Sequence, residues 1–167
     1  MKNNINLDYV KEEQNKFLNH LKTIEGIKYP VNDYDVPRWL ILSLISELME
    51  IMNESKSIKW WDKTEIDEYK LKEELSDLLS HIGNVSNFLS VDLVLENELP
   101  KIRDIKPHIL SMIGDFTTLG FSKYYARNKL KLILQKYFQL IDYFGYDIED
   151  IKEVYLEKMK KNYRRFE

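Results

Sequence analysis

The chain contains no cysteine. Disulfides and thiolate zinc sites are therefore excluded, and a reducing, cytoplasmic setting is the simplest expectation. Excess basic charge is also missing: 25 Lys and Arg stand against 28 Asp and Glu, a formal net charge of −3, so no general attraction to nucleic acid is expected. No apolar run approaches the ~20 residues that a membrane helix requires, and the polar, charge-interrupted stretch from Met1 to Asn19 does not read as a signal peptide. No segment alternates polar and apolar residues long enough to argue a strand, and there is no internal repeat. What is left is one domain of 167 residues, long enough to bury about 70% of its unfolded surface around a single core.

Helical periodicity fills most of that length. Leu7, Val10, Phe17, Leu18, Leu21 and Ile24 predict a first helix over 7–24. Gly26 to Asp35, with Pro30, Asn32 and Asp33, reads as a loop. Asp35 is placed to cap a second helix, with Pro37 in its first turn, running to about Ser55 or Ser57. Thr64 and Asp67 resemble an N-terminal cap for a third helix over roughly 66–90, packed on Leu71, Leu75, Leu78, Ile82, Val85 and Leu89. Pro100 and Pro107 divide residues 92–120 into a short helix and one of about a dozen residues ending at Gly120. Ser122 caps a long helix that Gly145 ends, and Asp147 caps the last. The expected fold class is all-α, a helical bundle. Phe116 and Phe121 fit a core or a dimer surface equally well.

Two of these helices carry acidic pairs. Glu47 and Glu50 share a face of the second helix, with Glu54 a turn further on, and Glu74 and Asp77 share a face of the third. The connection is short, so the helices should lie antiparallel and the acidic faces can meet. Two carboxylates about 5 Å apart repel by roughly 3 kcal/mol at an effective dielectric near 20, so a counter-charge is needed. Trp39 to Ser55 contains no Lys or Arg. A hard divalent cation is the natural alternative, and an all-oxygen set favours magnesium, with manganese as substitute, over zinc. The competing reading is a solvated acidic face opposite Ile41, Leu44, Ile45, Leu48, Ile51 and Met52. His81, on the face of Glu74 and Asp77, suits a phosphate contact, a carboxylate-orienting role or an ordinary core-edge histidine.

The last helix adds cations. Tyr155, Lys158, Asn162 and Arg165 form one stripe. An acidic metal site holds a polyphosphate only with positive charge on the far side, which Lys158 and Arg165 could supply, and Asn162 could read a base or sugar edge. A solvated basic tail in line with the helix dipole is the other reading.

Together, Ser46–Glu54, the loop Ile58-Lys59-Trp60-Trp61, Glu73-Glu74-Leu75-Ser76-Asp77 and the stripe from Tyr155 to Arg165 resemble the dimeric dUTPases, within the all-α NTP pyrophosphatases that also include MazG-type and dCTPase enzymes. The resemblance implies a homodimer that cleaves dUTP to dUMP and pyrophosphate, with dUDP as a further substrate. It implies magnesium on Glu47, Glu50, Glu74 and Asp77, phosphates on Lys59, Lys158 and Arg165, and a nucleoside near Trp61, Asn162 and the first-helix Gln14. Glu50 is the candidate general base toward a metal-bound water. For phage-encoded members it further implies a possible protein partner.

The chain departs from the pattern where the base is read. Ser80-His81 stands in place of a His-Phe pair, and Met159 and Phe166 replace amide residues. The nearest rival substrate is dCTP or a broader pyrimidine set. A di-iron site would need Glu-x-x-His, which neither Glu47 nor Glu74 begins, and the non-enzymatic alternative is a helical interaction module.

Overall fold

The computed structural model describes residues 4–28, 30, 35–97 and 99–167. Among these residues six helices follow one another: α1 (Asp8–Thr23), α2 (Arg38–Glu54), α3 (Glu68–Leu89), α4 (Ile105–Thr118), α5 (Lys123–Tyr143) and α6 (Ile148–Arg165). Two strands of two residues, β1 (Ile5–Asn6) and β2 (Val94–Leu95), pair antiparallel with Ile5 opposite Leu95. The fold is an all-α bundle, as expected.

The composition of α3 makes it the axis. Leu71, Leu75, Leu78, Leu79, Ile82, Val85 and Leu89 are all buried, too many for a single apolar stripe, so the helix is covered on several sides. It packs against α1, α2, α5 and α6, while α4 rests on α5 and α2. Polar groups pin the contacts: the hydroxyl of the fully buried Tyr137 on α5 donates to the Leu75 carbonyl at 2.9 Å, and Asn87 Nδ2 donates to the Lys11 carbonyl of α1 at 2.9 Å. On α4, Asp115 receives Lys129 at 3.2 Å and Lys136 at 2.5 Å from α5.

Several local expectations hold. Ser122 caps α5 by accepting from Tyr125 N at 3.2 Å, and Asp147 with Asp150 forms a reciprocal capping box on α6. Gly145 adopts a φ of +81° just beyond α5, a left-handed conformation that suits glycine. Phe116 is core, whereas Phe121 is 74% exposed.

Other expectations need correction. Asp35 does not cap α2; Pro37 is itself the N-cap, at ψ 142°, and its carbonyl accepts from Leu40 and Ile41. Asp67 rather than Thr64 caps α3, accepting from Lys70 N at 3.1 Å. Thr64 instead bonds Asp62 at 2.7 Å inside the preceding loop. No short helix forms among the described residues between 92 and 104. That stretch is extended, and its β2 ladder continues where Leu7 N donates to Leu93 O at 2.8 Å. A two-residue strand leaves no alternation to detect. Pro107 lies in the first turn of α4 and does not break it, since the amide hydrogen it lacks would have been unpaired there. Asn32 and Asp33, expected in a loop, lie outside the described residues.

At Gly83, α1 packs tightly against α3. A Cβ at this position would meet Val10 Cγ1 at 2.7 Å, and Val10 is itself buried and β-branched, with little rotamer freedom. Gly83→Ala should therefore lower stability by about 1–3 kcal/mol through overpacking, although Ala is the better helix former by about 1 kcal/mol. Urea unfolding measures this, and a neutral or stabilising result would show that α1 can yield.

Candidate active site

The short connection after α2 determines the geometry of the acidic pairs. Lys56 follows the α2 C-cap with φ +58°, a conformation unfavourable for a side-chain-bearing residue. Its ammonium group compensates by gathering the loop, donating to the Thr64 carbonyl at 2.6 Å, to the Glu65 carbonyl at 2.8 Å and to Thr64 Oγ1, with Asp62 3.7 Å away. Residues 56–67 are thereby folded back, and α2 and α3 return side by side. Nothing in the sequence distinguished Lys56 from Lys59, because the signal is backbone conformation and not residue type.

Glu47 of α2 then meets Glu74 and Asp77 of α3, with one carboxylate oxygen from each within 4.8 Å of the others. Glu50 is exposed and outside this trio, though close enough for its charge to act on Glu74. Burial above all, opposed by Lys158 and reinforced by Asp77, Glu47 and Glu50, pushes the Glu74 carboxyl up to about 7. Asp77 is also raised, chiefly by burial, with its hydrogen bond from Lys158 opposing. His81 Nε2 lies 3.7 Å from Glu47 Oε1, which favours the carboxylate-orienting role.

Three predicted ligands are thus brought together, and Glu50 stands at their edge. The donor set is hard oxygen throughout, so it fits magnesium or manganese. The raised carboxyls give the same fit: burial and their acidic neighbours outweigh the one ammonium group of Lys158, so further positive charge would stabilise their ionised forms.

From the other side, α6 is clipped onto α3. Lys158 Nζ bonds Asp77 Oδ2, Lys161 reaches Glu73 at 3.2 Å, and Tyr69 donates to Glu157 at 2.9 Å. Of the predicted stripe, Lys158 is in the acidic cluster, while Asn162 is half-buried and Arg165 exposed. Tyr155 is not a site residue: it is buried, and its ring packs against Tyr9. Gln14 is not brought to the site either. Only 3% exposed, it uses its amide nitrogen on the Tyr155 hydroxyl at 3.1 Å and on Met159 Sδ at 3.3 Å. Trp61 is 63% exposed, edge-on to Trp60 in the loop where Lys59 also sits.

A cavity of about 560 Å³ lies elsewhere, between residues 90–97 and the first half of α5. Ser90 on its wall is about 20 Å along α3 from Asp77, so the cavity is not part of the acidic site.

Against known proteins, the family model described as dUTPase matches residues 6–167, nearly the whole chain. The chain belongs to the dUTPase family. It is accordingly a nucleoside triphosphate pyrophosphohydrolase, a dUTP diphosphatase of all-α build. No curated protein and no solved structure matched the chain. Among the described residues no helix is long and apolar enough to cross a membrane.

The titration of Glu74 has a definite sign. Its folded pKa of about 7 exceeds the ordinary value of 4.5, so between those values the folded state holds more protons than the unfolded one and stability falls as pH rises. With EDTA present, the melting temperature should decline from pH 5 to pH 7.5, less steeply in Glu74→Gln. Magnesium should add stability that grows over the same window, because it binds the deprotonated carboxylates. Equal slopes in wild type and Glu74→Gln, read by thermal denaturation, would remove Glu74 as the source.

Proposed function

We propose that this dUTPase cleaves between the α and β phosphates of dUTP with magnesium held by Glu47, Glu74 and Asp77, manganese being able to substitute, and with dUDP as a second substrate. The observation that carries the reading is the convergence of three carboxylates from α2 and α3 directly against a cationic helix. Bound there, the metal would neutralise phosphate charge and acidify a water.

The roles of the chain's own groups follow from their placement. Glu50, exposed beside the trio and not engaged in it, is free to take a proton from the attacking water. Lys158 is at hand for the phosphate oxygens, with Arg165 further along the same helix and Lys59 on the loop after α2 as further cations. Trp61 on that loop offers an aromatic face to the nucleoside, and Asn162 suits the sugar. His81 holds Glu47 in orientation.

Pyrophosphate release should be seen with dUTP and magnesium, should vanish with EDTA, and should fall by a factor on the order of 10² or more in Glu50→Gln. Metal-independent turnover, or an unimpaired Glu50→Gln enzyme, would overturn this assignment.

A homodimer is part of the same proposal. Leu42 on α2 is 66% exposed, and at the α4–α5 junction Phe121 and Tyr124 are 74% and 81% exposed. The two elements adjoin, since a Cβ on Gly120 would lie 3.5 Å from Ile41 Cδ1. Apolar groups of this size grouped on one surface mark an association face. Light scattering should give twice the chain mass for the wild type and the monomer mass for Leu42→Asp with Phe121→Asp; a monomeric wild type would remove the dimer.

A further inference from the structure

Three buried side-chain polar atoms without a hydrogen-bond partner belong to the seam between α2 and α3: Trp39 Nε1, His81 Nδ1 and Asn84 Oδ1. Their relative placement follows from two contacts. Trp39 at the start of α2 packs edge-on against Phe88 near the end of α3, with ring centroids 6.4 Å apart, and Glu47, two turns along α2, lies beside His81. Asp77, His81, Asn84 and Phe88 follow one another on a single face of α3 at spacings of four, three and four. A row of unpaired polar atoms thus continues from the carboxylate trio toward Trp39. Asn84, only 4% exposed, is about 10 Å along the helix from Asp77, a span comparable to that from the α-phosphate of a nucleotide to the far edge of its base.

Such groups are costly to bury unpaired, so the seam is arranged for a partner. The hydrogen-bonding capacity of two of them identifies its chemistry. Indole Nε1 is a donor only, and a side-chain amide oxygen is an acceptor only. A donor on α2 packed at Phe88 and an acceptor one turn earlier on the same face of α3 together complement the carbonyl and ring N–H of a keto pyrimidine. A cytosine edge would turn an amino group toward one and a bare ring nitrogen toward the other. Asn84 could adapt by rotating its amide, but Trp39 has no acceptor to offer.

We infer that Trp39 and Asn84 are the specificity-determining residues of this enzyme, selecting uracil over cytosine from within the α2–α3 seam. This rests on the pyrophosphatase reading above and assigns base selection to residues other than Trp61, Asn162 and Gln14. It also fits the engagement of Gln14 with Tyr155 and Met159, which takes that amide nitrogen away from a substrate.

The test compares kcat/KM for dUTP and dCTP in wild type, Trp39→Phe and Asn84→Leu, with magnesium present, alongside melting temperatures and the indole N–H resonances during titration with dUMP. Each substitution should reduce the preference for dUTP over dCTP on the order of 10- to 100-fold. Asn84→Leu should melt no lower than wild type in the absence of nucleotide, because it removes an unpaired polar atom and not a structural bond. The Trp39 resonance, assigned by its loss in Trp39→Phe, should shift with saturating dUMP and not with dCMP. An active wild type whose two variants keep the full preference, or a Trp39 resonance unmoved by dUMP, would overturn the inference and leave the pyrophosphatase reading standing. No turnover of any nucleotide would strike at that reading instead, with the resonance still reporting on the base seat.

Discussion

Everything in this fold that bears on chemistry depends on holding like charges together. Carboxylate oxygens within 4.8 Å of one another repel by roughly 3 kcal/mol or more per ionised pair at an effective dielectric near 20, and no surface helix pair would keep them there unaided. The opposing force is the apolar seam behind them, where Leu44, Leu48 and Ile51 of α2 and Leu71, Leu75 and Leu78 of α3 are all buried. Burying side chains of this kind stabilises by about 1.5–3 kcal/mol each, enough to outweigh the repulsion. The Glu74 carboxyl is raised first by its burial in that packing and then by its acidic neighbours, and a cation would offset both.

The same logic explains why α6 lies where it does. A cationic helix beside an acidic seam supplies partial neutralisation through Lys158 on Asp77, while Tyr155 and Met159 on its inner face receive the Gln14 amide. One helix therefore joins the core of the bundle to the electrostatics of the site. Its anchoring residues and its cationic residues alternate at helical spacing, so Tyr155 packs into the core while Lys158, three residues on, reaches Asp77.

Sequence reading was strongest where one helix face carried one kind of residue. The six long helices, the buried leucines of α3, the two caps at Ser122 and Asp147 and the meeting of Glu47 with Glu74 and Asp77 were all legible, since periodicity alone determines which side chains share a face. It was weakest where tertiary contacts decide. Gln14, which the resemblance places near the nucleoside, is seen to bond Tyr155 and Met159 only once α6 is packed over it, and the β2 pairing depends on Leu7 meeting Leu93. Lys56 is one lysine among several until its backbone turns left-handed. None of these leaves a periodic trace.

Asn84 and Trp39 belong to a third category. Asn84 lies seven and three residues on from Asp77 and His81 along α3, and Trp39 lies in the first turn of α2. Only the three-dimensional arrangement shows that the polar atom of each is buried and unpaired, a matter on which periodicity is silent. The departures at Ser80 and His81 bear on the same question from the other side. Ser80 has a small hydroxyl that bonds its own helix at Ser76 O, 3.1 Å away, and the His81 imidazole turns Nε2 to Glu47 while its Nδ1 is left unpaired. The proposed selection between two pyrimidines therefore draws on the unpaired atoms further along the seam, on Asn84 of α3 and Trp39 of α2.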